Sequence, residues 1–192
     1  MSKLFLPATL LFSIQLLSCA PPGTGSNRAA KNNQGATTVV SIYDGLTEEA
    51  KELAGRWSAI KHKDISEVEG VLKNATESEY SVVFVNVDWS LDSVFGRMFF
   101  AQFMIDYNKE RPDSTLLFHY IDCTNIPLDY KPLTRLPGWE NLESQRKGTI
   151  GGVGEIIWIG NGRVLKMEPA GIIETSREFI KVTDTLMPNT SR

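Results

Sequence analysis

The 192-residue chain is poor in the residues that most often carry chemistry: two cysteines, Cys19 and Cys123, and two histidines, His62 and His119. No two cysteines are close in sequence, so a local dithiol able to form and exchange a disulfide is excluded. Lys and Arg number 20 against 23 Asp and Glu, for a formal charge of −3. Both signs are interspersed, which leaves no basic footprint for a nucleic acid. Long hydrophobic runs are also missing. The single apolar stretch, Leu4–Leu17, is interrupted by Pro7, Ser13 and Gln15 and is too short to span a bilayer comfortably.

That stretch, preceded by Lys3, reads as a secretory signal. Its end, Leu16-Leu17-Ser18-Cys19, resembles the bacterial lipobox, in which a small residue precedes a cysteine that receives diacylglycerol and becomes the first residue after cleavage. The alternative is an ordinary signal peptide cut at Ser18-x-Ala20, but Pro21 directly after that cut argues against it. The resemblance implies a signal over 1–18, lipid on Cys19 and attachment to a membrane of the bacterial envelope, facing the periplasm. Ala20 follows the cysteine where an inner-membrane retention aspartate often stands, so the outer membrane is favoured over the inner. Removal of residues 1–18 would bring the side-chain charge to −4 and leave Cys123 as a lone free thiol.

Residues 19–40 contain Pro, Gly, Ser, Asn, Gln and Ala without apolar periodicity and predict a flexible tether. The remainder, 41–189, has the length of one domain. Thr47 can cap a helix through about Trp57, and Asp64 with Glu67 has capping-box spacing for a helix ending near Asn74. The run 81–87 is almost wholly apolar and predicts a strand covered on both faces. Val94–Lys109 predicts a core helix, apolar round its circumference, and Thr115–Ile121 a second buried strand. A Pro-rich crossing follows, with a short helical turn between Leu133 and Gln145. Asn161-Gly162 between Glu155–Ile159 and Arg163–Met167 is a hairpin signal. Thr175 with Glu178 opens a closing helix whose buried side is Phe179, Ile180, Val182 and Leu186.

The order helix, strand, helix, strand, connection, hairpin, helix resembles the thioredoxin family over about residues 60–187. Three segments carry the resemblance: Asp88-Trp89-Ser90-Leu91-Asp92-Ser93 at a strand-to-helix junction, Ile121-Asp122-Cys123-Thr124-Asn125 at the next strand end, and Gly152-Val153-Gly154-Glu155-Ile156-Ile157-Trp158-Ile159-Gly160-Asn161-Gly162. The Asp-Trp pair is also similar to the periplasmic C-terminal domain of transmembrane thiol-disulfide interchange proteins. The resemblance implies an α/β, thioredoxin-like fold with a central mixed sheet flanked by helices and an N-terminal extension. The departures matter as much. The family's two cysteines fall on Ser90 and Ser93, its buried acid on Phe84 and its cis-proline on Gly154. A helix N-terminus lowers a thiol pKa from about 8.5 to about 7, whereas a serine hydroxyl is far too weak an acid to profit from it. Four changed positions of one machine predict a fold kept without its redox chemistry.

What the resemblance leaves is the substrate groove, with Trp89, Leu91, Asp92, Val153, Gly154 and Glu155 as its expected walls. Its expected occupant is an extended peptide or another envelope protein, paired in strand fashion, with Gly154 leaving the backbone open. No cofactor and no metal is expected. His119, Asp122 and Cys123 are potential ligands, but His119 and Cys123 lie about 13 Å apart along an extended strand, and the Cys-x-x-x-Cys pair of copper chaperones that share this fold is absent. Ser90 with Asp92 lacks a histidine base for a hydrolase. The competing expectation is a divergent oxidoreductase that uses Cys123 with a partner's thiol; a structural part of an envelope complex is a third. Beyond its place in the groove Trp89 reads as core, as does Trp158, and Trp139, in a Pro-Gly loop, is the one tryptophan whose placement could mean a surface contact.

Overall fold

Thr47, Asp64, Ser90 and Thr175 each begin a helix by the same device: a side-chain oxygen accepts a first-turn backbone N–H that has no partner within the helix. The computed structural model describes residues 45–126, 131–143, 153–173 and 175–188. The signal expected at 1–18, the tether expected at 19–40, Cys19 and Gly152 lie outside the described residues. Six helices occur among those residues: α1 (Glu48–Ser58), α2 (Ile65–Glu77), α3 (Leu91–Glu110), α4 (Lys131–Thr134), α5 (Trp139–Glu143) and α6 (Ser176–Leu186). At α2 the capping box is displaced by one residue, since Glu67 reaches back to the N–H of Lys63 at 2.7 Å. α2 also runs three residues beyond its expected end at Asn74.

Among the described residues four strands form one mixed sheet in the order β2-β1-β3-β4, with β1 (Tyr80–Asn86), β2 (Leu117–Asp122), β3 (Glu155–Gly160) and β4 (Arg163–Pro169). β1 is parallel to β2 and antiparallel to β3. β3 and β4 make the expected hairpin, in which Asn161 (φ 50°) and Gly162 (φ 72°) both adopt the left-handed backbone that a tight two-residue turn requires. β2 starts two residues later than expected, because Ser114 Oγ accepts the Leu116 N–H at 3.1 Å and holds the entry in a turn. This is the α/β, thioredoxin-like architecture expected from the sequence, helices flanking a central mixed sheet.

Side chains alternate across β1. Val83 and Val85 face a cluster with Leu72, Ile121, Ile157 and Trp139, while Val82 and Phe84 face one with Phe100, Phe103, Trp158 and Phe179. The second cluster is mainly aromatic: Phe103 stacks on Phe179 at 5.0 Å, and Phe84 and Phe100 lie 5.2 Å apart. Outside α3, Ala50 and Ala54 of α1 pack against Ala101.

Two tryptophans differ from their reading as core and as surface. Trp139 is 1 % exposed, in the valine-rich cluster, because Gly138 comes so close to β4 that a Cβ there would lie 2.5 Å from the Val164 carbonyl oxygen. Trp89 is 55 % exposed, whereas Trp158 is buried as expected. On α6, Val182 and Leu186 are only half-buried. Thr183 takes the interior position, accepting the Trp158 Nε1–H at 2.9 Å and donating to the Phe179 carbonyl.

Candidate functional site

β1 ends at Asn86, and the chain must then turn within four residues to start α3 at Leu91. Ser90 and Ser93 make that turn. Ser90 Oγ accepts the Ser93 N–H at 3.4 Å, which caps α3, and donates to the Val153 carbonyl at 3.2 Å. Ser93 Oγ accepts the Val87 N–H at 2.9 Å and donates to Asn86 Oδ1 at 3.1 Å. Both hydroxyls are buried, and each acts as donor and acceptor, as a hydroxyl can. The two positions where the resemblance expects thiols are therefore joints of the loop.

Beneath the loop is a charged network contributed by distant parts of the chain. Arg97 of α3 donates from one Nη to Asp88 Oδ1 at 2.9 Å and to Asn86 Oδ1 at 3.2 Å. Asn86 Nδ2 donates to the same Asp88 oxygen at 2.9 Å. Lys61, from the α1–α2 connection, bridges two carboxylates: it pairs with Asp88 Oδ2 and lies 2.9 Å from Asp122 Oδ2. Asp122 Oδ1 accepts from the Thr124 N–H and hydroxyl, and Thr124 Oγ1 accepts the Asp88 N–H at 3.0 Å. His62 Nδ1 accepts the Asp122 N–H at 3.0 Å.

The electrostatics follow from these contacts. Burial pushes the Asp88 carboxyl up, but hydrogen bonds from Lys61, Asn86 and Arg97 outweigh it and hold the group at about 2. For Lys61 the burial penalty is likewise outweighed by Asp88 and Asp122, and its pKa is raised. An ammonium thus already lies between the two carboxylates, where a cation would have to bind. His119 faces elsewhere: its Nε2 lies 3.3 Å from the Ser81 hydroxyl, and burial lowers its pKa. Among the described residues, no group of three His, Cys, Asp or Glu side chains is placed to hold a metal ion.

Cys123 is 7 % exposed. Burial, with Asp122 and Glu155 nearby, pushes its thiol up to about 12. At pH 7 the thiolate fraction is then about one in 10⁵, the opposite of what a nucleophilic thiol requires.

The expected groove is closed at its centre. Gly154 has φ +89°, and a Cβ added there would lie 2.5 Å from Ser93 Oγ and 3.0 Å from Ser93 Cα. The missing side chain therefore lets the 153–155 segment press against the motif and does not leave the backbone open to a partner. Gly154 and Glu155 are buried and Val153 is half-buried. The Val153 carbonyl accepts from Ser90, the Gly154 carbonyl accepts the Ala170 N–H at 2.9 Å, and Glu155 is already paired on both sides, by β1 and β4. Of the six expected walls, Trp89, Leu91 (73 % exposed) and Asp92 stand at the surface.

The sequence singles out Ser90, Ser93 and Trp89 but not Lys61, Asn86, Arg97 and Thr124, which the fold brings to the same loop. A polar residue ending an apolar strand was a signal for Asn86, since a buried amide needs partners. Arg97, in a helix otherwise read as core, was a signal of the same kind. Nothing local marks Lys61.

The chain is similar to several solved structures. Thioredoxin O2 from Arabidopsis thaliana in its oxidised state is 16 % identical, with 68 % of this chain and 96 % of that one covered and a TM-score of 0.42. Oxidised mitochondrial thioredoxin 3 from Saccharomyces cerevisiae is 11 % identical, with coverage of 68 % and 98 % and a TM-score of 0.39. Thioredoxin from Plasmodium falciparum is 11 % identical, with coverage of 66 % and 98 % and a TM-score of 0.38. No protein-family model matches the chain, and no curated protein matches it. The strand order β2-β1-β3-β4, with β1 parallel to β2 and β3 antiparallel to both of its neighbours, is the thioredoxin-like arrangement that the sequence resemblance implied.

Proposed function

We propose that this protein is a non-catalytic binding module of the bacterial envelope, held by lipid on Cys19 to the periplasmic side of a membrane, the outer in preference to the inner. The observation that carries the reading is the use of both motif hydroxyls. Ser90 and Ser93 are turned inward and committed to the loop, while Trp89 and Leu91 of the same loop stand exposed. A surface with no nucleophile and two large apolar side chains suits contact with another protein.

The partner binds through side chains against Trp89, Leu91 and Asp92. Strand-like pairing is not assigned to 153–155, because the Val153 and Gly154 carbonyls already accept hydrogen bonds and Glu155 is paired within the sheet. The oxidoreductase alternative draws no support from a buried thiol with its pKa near 12.

Insulin turbidity driven by dithiothreitol tests the reading. The full chain should precipitate insulin no faster than buffer does. Acceleration that disappears in Cys123→Ser would sink the proposal.

A further inference from the structure

Six large apolar side chains are exposed among the described residues, and two of the most exposed are Leu91 and Ile172, the latter 62 % exposed. They come from different elements, the start of α3 and the loop after β4. That loop lies directly against α3. A Cβ at Gly171 would be 3.1 Å from Asp92 Cγ, and one at Gly96 would be 2.6 Å from Ala170 Cβ. Leu91 and Ile172 are the chain neighbours of Asp92 and Gly171, so the two elements that carry them meet at this point.

Ile172 also opens a second feature. With Ile173, Val182 and Leu186 it lines a groove of about 400 Å³ between β4 and α6. Exposed Trp89 and Leu91 thus lie on one side of the Asp92–Gly171 approach and the groove that Ile172 opens on the other.

Charge along this track is uneven. The groove rim carries Lys166 and Lys181 against Glu168 and Glu178, and Lys166 is 3.2 Å from Glu168. Asp88 is paired with Lys61 and Arg97. Asp92 is exposed and has no ion-pair partner among the described residues. The track is apolar at both ends with the exposed Asp92 carboxylate between them.

We infer that its occupant is an extended segment of a partner protein with a lysine or arginine set between apolar residues, the cation opposite Asp92 and one apolar side chain in the β4–α6 groove. Apolar contact supplies the affinity, and the charge supplies register and selectivity. The inference rests on the binding reading above and deepens it, because it names the partner's chemistry and extends the surface beyond the motif loop.

Random 12-residue peptides displayed on phage, selected on the full chain held in detergent micelles, test it. The enriched peptides should carry Lys or Arg flanked by apolar residues. The best of them, made synthetically, should shift the Val182 and Leu186 amide resonances, bind at least tenfold more weakly to Ile172→Glu, and lose its advantage over a Glu-for-Arg version in Asp92→Asn. All substituted positions are exposed, and circular dichroism would verify that each variant folds. Peptides without basic residues, or peptides that Trp89→Ala abolishes and Ile172→Glu leaves alone, would overturn the inference and spare the binding reading. No enrichment over detergent-coated beads would overturn both. Phosphatidylcholine vesicles that bind and show the same Ile172→Glu loss would make the track a membrane surface and overturn the peptide.

Discussion

Phe84 and Asn86 are two residues apart on β1 and face the same helix, yet their surroundings have little in common. Phe84 meets Phe100 at 5.2 Å and Tyr120 at 6.2 Å. Asn86, one strand repeat or about 7 Å further on, meets Ser93 and Arg97. Along α3 the stripe that covers them changes in step, from Phe100 and Phe103 to Arg97 and Ser93. The aromatic half is held by area, which is non-directional and tolerates small shifts in position. The polar half is held by hydrogen bonds, which fix distances and angles and therefore determine the shape of the loop carrying Trp89.

Removing area should have the largest effect. Phe103→Ala deletes a ring with Phe179, Phe118, Tyr107 and Phe100 within 6 Å and should cost about 3–5 kcal/mol in urea denaturation. If the halves are separate in kind, the folded fraction should still show wild-type Trp89 exposure to acrylamide quenching. A changed loop would break the comparison.

Gly154→Ala strikes the contact between motif loop and sheet. The backbone at φ +89° disfavours any side chain, and the new Cβ would sit 2.5 Å from Ser93 Oγ. Strain and overpacking together should cost roughly 2–4 kcal/mol. Here the loop should move, which amide resonances of Trp89 and Ser93 would report. Loss of stability with unmoved resonances would place the strain elsewhere.

Ser93→Ala is smaller in volume and more local. It leaves the Val87 N–H buried without its acceptor and removes a donor to Asn86, a penalty of about 1–3 kcal/mol. Hydrogen exchange at the Val87 amide should quicken more than that at Val83 in the middle of β1. Equal change at both sites would mean that Ser93 stabilises the fold in general and does not hold the loop.

The sequence revealed the aromatic half more readily than the polar half, for a physical reason. Apolar periodicity, capping residues such as Thr47, Asp64 and Thr175, and the Asn161-Gly162 turn are local signals, and each formed the element expected of it. The polar half joins Lys61, Asn86, Asp88, Arg97, Asp122 and Thr124, which only the fold brings together. Trp139 shows the same limit: residue type predicts burial on average, but the close approach of Gly138 to β4 carries this ring inside. The seryl motif was legible as an absence of thiols. That its hydroxyls hold the loop together was not, because their partners are backbone groups and a single amide.

The smallest effect is the one that separates the halves by pH. Asp88 lies at about 2 when folded, against 3.8 for the free side chain, so between these values the unfolded chain binds more protons than the folded one. Its contribution is therefore complete above about pH 4 and lost as the pH falls through 2. With its side chain 33 % exposed, solvent screening reduces that contribution to about 1 kcal/mol. Lys61, whose pKa is raised above 10.5, contributes in the opposite sense: fully below pH 10.5, and lost above it. Asp88→Asn should flatten the fall in urea midpoint between pH 4 and 2. Lys61→Met should flatten it on the alkaline side and also weaken the acid-side fall, since Lys61 is one of the groups that hold Asp88 ionised. Phe103→Ala should lower the midpoint by the same amount at every pH, because no charge is involved. A pH-dependent Phe103→Ala, or an Asp88→Asn with the wild-type acid slope, would mean that the aromatic and ionic halves of this helix face are not energetically distinct.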